Sequence, residues 1–377
     1  MNLIDLKLYD FRNYRELALD FDPGVNLIVG NNAQGKTNLL EAISYLGSGR
    51  SFRAQKNSEM IRFGADFADI QGKVYSQDRE QTLRWVLFNG SRPRQVYRNG
   101  AKKKTAGDIS GVLQTVLFCP EDLMVLKTGA SARRRLGDNA LCQLRPNYEA
   151  ALTEYNRILD QKSRILKDRL ENPGILEILP EFNTRLCQVG ALLISYRARF
   201  YEGLGKAASV YHESFSGGAE EFSLQYKTVS TVTDPFATVD VLTGQLQDHL
   251  QSHYRAELDS CQCLTGPHKD DFSVFLSGID LKAYGSQGQT RTAAISLKLA
   301  QRELMEKSTG QMPVLLLDDV LSELDPGRQD FILNQISRGQ VFITCCEPGR
   351  LTKLGKTIEI IGGNLASLFE GGGTAKP

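Results

Sequence analysis

Apolar positions recur along this chain with two different periods, and the change of period divides it. Near the start they alternate: Leu17, Leu19 and Phe21 fall on one face of a strand over 16–21, which follows another over 3–9. Asp22-Pro23-Gly24 is a turn into a short buried strand carrying Val25, Leu27, Ile28 and Val29, and a helix over 38–46 comes next. Further strands are predicted at 71–74, 81–88 and 95–97, punctuated by the turn dipeptides Asn89-Gly90 and Asn99-Gly100, and at 115–118. From Arg145 the spacing becomes three and four. Tyr148, Leu152, Tyr155, Leu159, Leu166 and Leu170 form one stripe; Leu179, Phe182, Leu186, Val189, Leu193, Tyr196, Phe200 and Leu204 form another after Pro173-Gly174. Two helices so joined lie antiparallel, each covering the other's stripe. A strand at 222–226 and a helix at 239–258 follow. The alternation of strand and helix then returns: strands at 271–276, 278–282, 313–317 and 340–344, helices at 290–307 and 328–338.

The predicted architecture is therefore α/β, a mixed sheet with flanking helices and an antiparallel β lobe, completed across an inserted helical arm. The expected divisions are 1–135, an N-terminal part with the glycine loop and β lobe; 136–260, the arm; 261–370, the C-terminal part; and 371–377, a disordered tail. With 45 lysines and arginines against 44 aspartates and glutamates, the net charge of +1 gives no bulk attraction for nucleic acid or membrane, so any basic surface is local. No apolar run is long enough to span a bilayer and no secretory leader is evident, which points to the cytoplasm. The seven cysteines are scattered without a C-x-x-C pair, so they read as buried thiols rather than disulfides or a zinc site.

The chemistry sits where strand meets helix. Gly30-Asn31-Asn32-Ala33-Gln34-Gly35-Lys36-Thr37 fits G-x-x-x-x-G-K-S/T between a buried strand and a helix beginning Asn38. The glycines let successive N–H groups face an anion, Lys36 reaches the β- and γ-phosphates, and Thr37 offers a hydroxyl to Mg²⁺. A second apolar strand ends in Asp318-Asp319. There Asp318 would hold the metal and Asp319 would orient and deprotonate an attacking water. Ser322, Glu323, Leu324 and Asp325 follow at once. Ser286-Gln287-Gly288-Gln289 runs into another helix and reads either as a simple cap or as an anion site for a nucleotide held by a second subunit. Basic residues Arg92, Arg94, Arg98, Lys102, Lys103 and Lys104 in the β lobe, and Lys162, Arg164, Lys167 and Arg169 on the arm, are either solvated faces or phosphate contacts.

Together these motifs resemble the ABC-type ATPase heads of the SMC and Rad50 kind, and more narrowly the RecF family of bacterial recombination mediators. The narrower likeness rests on Phe11-Arg12-Asn13-Tyr14, the loop at 30–37 with Asn38-Leu39-Leu40-Glu41-Ala42, Gly49-Arg50-Ser51-Phe52-Arg53 and Phe118-Cys119-Pro120-Glu121-Asp122-Leu123. Gly266-Pro267-His268-Lys269-Asp270-Asp271, the segment at 286–289 and Leu317 to Asp325 add to it. The resemblance implies two heads closing head-to-tail on two ATP molecules to form an ATP-dependent homodimer. It implies binding to double-stranded and gapped DNA, weak DNA-stimulated ATP hydrolysis, work with RecO and RecR in loading RecA, and roles in DNA repair, replication and the SOS response. Carried over, 30–38 bind ATP with Arg12 and Asn13 near the adenine or ribose, Thr37 and Asp318 hold Mg²⁺, and Lys36 and Asp319 act in hydrolysis. The segment at 286–289 would contact the partner's nucleotide, and 322–325 would cross the interface.

Some residues depart from the pattern. Thr344-Cys345-Cys346 stands where the superfamily has a histidine, Gly137 precedes Asp138 where a bulkier residue is usual, and no nucleotide-sensing glutamine is evident near 118–123. His268 reads as structural. The rival readings are a transporter motor, disfavoured by the β lobe and arm; a head with another DNA-processing partner, disfavoured by the short arm; and a nucleotide-binding module without turnover.

Overall fold

The computed structural model describes residues 1–336, 338–347 and 349–369; the expected disordered tail at 371–377 lies outside them. The chain forms two compact units, one of Met1–Leu123 with the chain from Lys298 onward, the other of Met124–Leu297.

The first unit opens with the hairpin β1 (Asn2–Phe11) and β2 (Tyr14–Asp20), then β3 (Val25–Val29) and α1 (Lys36–Ser48). β4 (Phe67–Ser76), β5 (Arg79–Phe88), β6 (Gln95–Arg98), β7 (Ala101–Lys103) and β8 (Thr115–Phe118) follow. The opening hairpin and the β lobe are one antiparallel sheet, ordered β2-β1-β4-β5-β6-β7. The β4–β5 turn, missed by the sequence reading, is Gln77-Asp78, both at positive φ (53° and 57°) as a tight hairpin demands.

In the second unit, α2 (Ala130–Leu144), α3 (Pro146–Asp168), α4 (Leu179–Ser216) and α5 (Val239–Ser260) accompany a separate sheet of β9 (Phe222–Lys227), β10 (Asp271–Leu276) and β11 (Ile279–Asp280). α3 and α4 are antiparallel, as Glu154 pairs with Arg185 and Tyr148 meets Arg197. They are not a two-helix arm, however. α5 covers a third face, burying Leu242, Leu246 and Leu250 against Cys187, Ala191 and Ile194 of α4. Lys162, expected on an outer face, is fully buried and bonds Glu257 of α5 at 2.6 Å, and Arg169 donates to the Leu258 carbonyl. This unit is wider than the 136–260 arm. Arg133 of α2 makes a bidentate pair with Asp271, so α2 and β10 fold with the helices. The strand expected at 278–282 is only β11, because Asp280 caps a helical turn, α6 (Leu281–Tyr284), through the Lys282 amide.

The chain returns to the first unit within α7 (Gln287–Thr309), then forms β12 (Val314–Leu317), α8 (Pro326–Gln335), β13 (Val341–Cys345) and the hairpin β14 (Gly355–Ile361) and β15 (Asn364–Phe369), which the sequence reading did not include. The second sheet is ordered β15-β14-β3-β13-β12-β8 and is parallel except for β15. Its central strand precedes the glycine loop. α1 is buried all round from Leu39 to Gly47, in one core with side chains of both sheets, such as Leu6, Ile70 and Trp85 of the first and Phe342 and Ile358 of the second.

Candidate functional site

Parallel pairing brings the ends of β3, β12 and β13 together. Val29 is opposite Cys345, and Leu317 is opposite both Ile343 and Phe118. Whatever follows Val29, Leu317 and Ile343 therefore meets at one sheet edge, and those residues are the glycine loop, Asp318-Asp319 and Thr344.

The loop is held from several sides. A Cβ on Gly30 would run into the Ile360 carbonyl; Gly35 has φ 117° and a Cβ there would lie 2.7 Å from the Asn13 amide. The Tyr14 hydroxyl donates to the Gly35 carbonyl at 2.9 Å, and Asn13 donates to the Gln34 carbonyl at 2.9 Å. The turn Gly362-Gly363 donates one amide to the Gln34 side chain and one to its carbonyl. Asn31, Asn32 and Ala33 are exposed at the loop's crest. α1 has no side-chain cap and no acidic residue in its first turn, so its leading N–H groups and dipole end favour an anion. Lys36 is 4% exposed and donates to the Gly30 carbonyl at 2.8 Å, the Asn31 carbonyl at 3.2 Å and Cys346 Sγ at 3.3 Å.

Thr37 Oγ1 donates to Asp318 Oδ1 at 3.0 Å. Thr344, which sequence reasoning noted only as a departure, donates to the same carboxylate at 2.9 Å and accepts the Asp319 amide at 2.8 Å. That bond helps hold Asp319 in the left-handed region at φ 49°. Burial pushes the Asp318 carboxyl above its ordinary range, opposed by the Thr344 and Thr37 hydroxyls and reinforced by Asp319. A cation held here would relieve that cost. The Thr37 hydroxyl and Asp318 carboxylate are hard oxygen donors of the kind a small divalent ion takes; among the described residues no group of three or more His, Cys, Asp or Glu could hold a metal.

Arg12 is spoken for: its guanidinium forms a bidentate pair with buried Glu41 at 2.7 and 2.8 Å, and Ser51 bonds the same carboxylate. This explains three separated motifs at once. Asn13 lies beside the loop, accepting from Asn38 at 2.8 Å, and Arg53 donates to Asn38 at 3.1 Å. Ser322 bonds the Asp319 carbonyl, and Ser322, Glu323 and Asp325 are exposed around buried Leu324. Asp325 caps α8 through the Arg328 amide at 3.0 Å.

In the second unit, Ser286 and Gln289 close a capping box at the start of α7. Gln289 Oε1 accepts the Ser286 amide at 2.9 Å and Ser286 Oγ accepts the Gln289 amide at 3.2 Å. Ser286 and Gln287 are exposed, Gly288 half-buried. Gln289 Nε2 donates to Glu220, whose carboxyl is held below its ordinary range first by that bond and also by His212.

Several basic candidates are tied down internally. Arg94 stacks on Trp85 at 4.8 Å and donates to Tyr45, and Arg98 bonds Gln81 at 2.9 Å, whereas Arg92 lies over Phe88 at 3.8 Å and remains exposed. Lys102 and Lys104 stay exposed. His268 is structural: Nε2 donates to the Cys263 carbonyl, Nδ1 accepts from Tyr155 at 2.7 Å, and burial lowers its pKa to about 4.

A parallel sheet ending in a glycine loop and paired aspartates, joined to an antiparallel β lobe, defines an ATPase head of the SMC type. Residues 2–364 match the family model described as RecF/RecN/SMC N terminal domain. An SMC head bound to the C-winged helix domain of ScpA shares the fold with a TM-score of 0.57 at 17% identity over 98% of each chain. Nearer likenesses are more particular. The DNA replication and repair protein RecF of Agathobacter rectalis is 40% identical over 346 residues, 92% of each chain, and that of Clostridioides difficile 36% over 347 residues, again 92% of each. The solved recombination mediator protein RecF-ATPrS in the RecFOR pathway superimposes with a TM-score of 0.90 at 34% identity, covering 97% of each chain. This chain belongs to the RecF family. No helix among the described residues is long and apolar enough to cross a membrane.

Proposed function

We propose that this chain is an ATP-dependent DNA-binding protein of recombinational repair, in which ATP binding drives head-to-tail dimerisation, the dimer grips duplex and gapped DNA, and slow hydrolysis releases it. The observation that carries the reading is the convergence of Lys36, Thr37 and Asp318 at one edge of a parallel sheet, beside an uncapped helix start.

The residues divide the work. Amides of 30–36 and the Lys36 ammonium surround the phosphates, with Asn38 and Asn13 alongside. Thr37 and Asp318 would hold Mg²⁺, which offsets charge on the β- and γ-phosphates when bound. Asp319, oriented through its amide by Thr344, takes the proton of the attacking water. Ser286 to Gln289 receive the γ-phosphate held by a second copy, and Ser322 to Asp325 line the seam. Arg12, engaged by Glu41, supports the loop's flank. RecO and RecR would meet the DNA-bound dimer and RecA would load beyond it, as the RecFOR pathway of the similar solved proteins suggests.

Two variants test this. Asp319→Asn keeps ATP binding and accumulates the closed dimer, because the base is lost while the metal ligand stays; rapid turnover by it would remove Asp319 from its role. Ser286→Arg binds ATP as a monomer without dimerising, whereas unimpaired assembly would dismiss the two-subunit site.

A further inference from the structure

The start of α7 is wired to a buried histidine through a residue that no motif includes. α4 ends at Gly217 in the left-handed region (φ 64°), and the chain turns back so that Glu220 faces both α4 and α7. His212 is fully buried with its ring against Phe222, and its Nε2 lies 2.9 Å from Glu220 Oε2. Its Nδ1 is buried without a partner, so the ring proton belongs on Nε2, donating to the carboxylate. Glu220 Oε1 accepts Gln289 Nε2 at 2.7 Å.

This arrangement fixes the direction of every bond. An ionised carboxylate only accepts, so the Gln289 carboxamide must turn its NH₂ to Glu220 and its oxygen to the Ser286 amide. Flipped, it would set oxygen against carboxylate and N–H against N–H. An ordinary capping box leaves the glutamine's far end in solvent; here it is anchored on another element. Because Ser286 Oγ accepts from the Gln289 amide, its own hydrogen is left to donate.

We propose that Glu220, backed by His212, is a positioning residue for Ser286 to Gln289, holding Gln289 so that the Ser286 hydroxyl and the helix start are preset for the nucleotide phosphate of a second subunit. The inference rests on the two-subunit reading above. The carboxylate's charge opposes a nearby phosphate, while both its oxygens are occupied by N–H donors.

The test is sedimentation of the full chain in saturating ATP and Mg²⁺, with monomer ATP affinity and melting temperature measured alongside. Glu220→Ala should weaken dimerisation about tenfold for each of the two shared sites, because Gln289 must then be ordered on assembly rather than beforehand, with monomer ATP affinity unchanged. Glu220→Gln, which keeps one acceptor, should fall between wild type and Glu220→Ala and serves if the alanine variant folds poorly. Glu220→Ala combined with Gln289→Ala should be no weaker than Gln289→Ala alone. Wild-type dimerisation by both Glu220 variants, tighter dimerisation by Glu220→Gln, or full additivity in the double variant would overturn the inference. Ser286→Arg separates the two layers. If it blocks assembly while the Glu220 variants do not, only this inference fails; if it assembles normally, the two-subunit reading fails as well.

Discussion

In the proposed function Lys36 carries the loop's hold on a triphosphate. Its partners are neutral acceptors, two carbonyls and a thiol, which an anion can replace at little cost. Lys36→Ala should weaken ATP binding about a hundredfold by calorimetry, the loss of a charge-assisted contact in a nearly dry loop; undiminished affinity would refute the assignment. His268 makes a different prediction. Its folded pKa, about 4, lies below the ordinary value of 6.5, so the unfolded chain binds the proton more readily. The contribution is complete above pH 6.5 and drains away as pH falls toward 4. Urea titrations should show it worth about 2 kcal/mol between pH 7.5 and 5. His268→Gln should lose that part of the pH dependence, and an unchanged dependence would contradict the burial argument. The loop, Asp318 and Asp319 were legible as motifs because their spacing is local. Thr344 was not, since its partnership with Asp318 exists only through the register of β12 and β13.

At the scale of elements, periodicity found the strands around the loop and the antiparallel pair α3 and α4, yet it misread what covers them. A stripe at spacings of three and four says that a face is buried, not how many helices bury it, and α5 is the third. Lys162 shows the cost of that gap: expected on an outer face, as a solvated or phosphate-contacting lysine, it pairs with Glu257 in the interior. Glu257 also accepts the Leu264 and Thr265 amides at 2.7 and 3.2 Å, so the pair pins the end of α5. Glu257→Ala should destabilise the protein by about 3–5 kcal/mol by stranding a buried ammonium, while Lys162→Met with Glu257→Leu should recover most of the loss. Chemical denaturation decides it, and a mild effect of Glu257→Ala would mean that water reaches the site. The motif at 266–271 has the same lesson. Arg197 bonds Asp138, the Pro267 carbonyl and Asp270, and Arg133 pairs with Asp271, so residues of the motif knit the second unit together.

For the whole molecule, a net charge of +1 gives no bulk attraction for nucleic acid, so the proposed grip on DNA would rest on local lysines and arginines brought together by the proposed assembly. Arg92, Lys102 and Lys104 are exposed candidates, whereas Arg94 and Arg98 bond groups of the first unit. The central claim is that ATP joins two copies and that the joined form holds DNA. Sedimentation velocity of the chain with ATP and Mg²⁺, with ADP, and with gapped duplex DNA added to each tests it directly. The account predicts a monomer in ADP, a dimer in ATP, and DNA sedimenting with the dimer. An ATP-saturated monomer that carries DNA as well as the dimer does, or a dimer indifferent to the nucleotide, would contradict it.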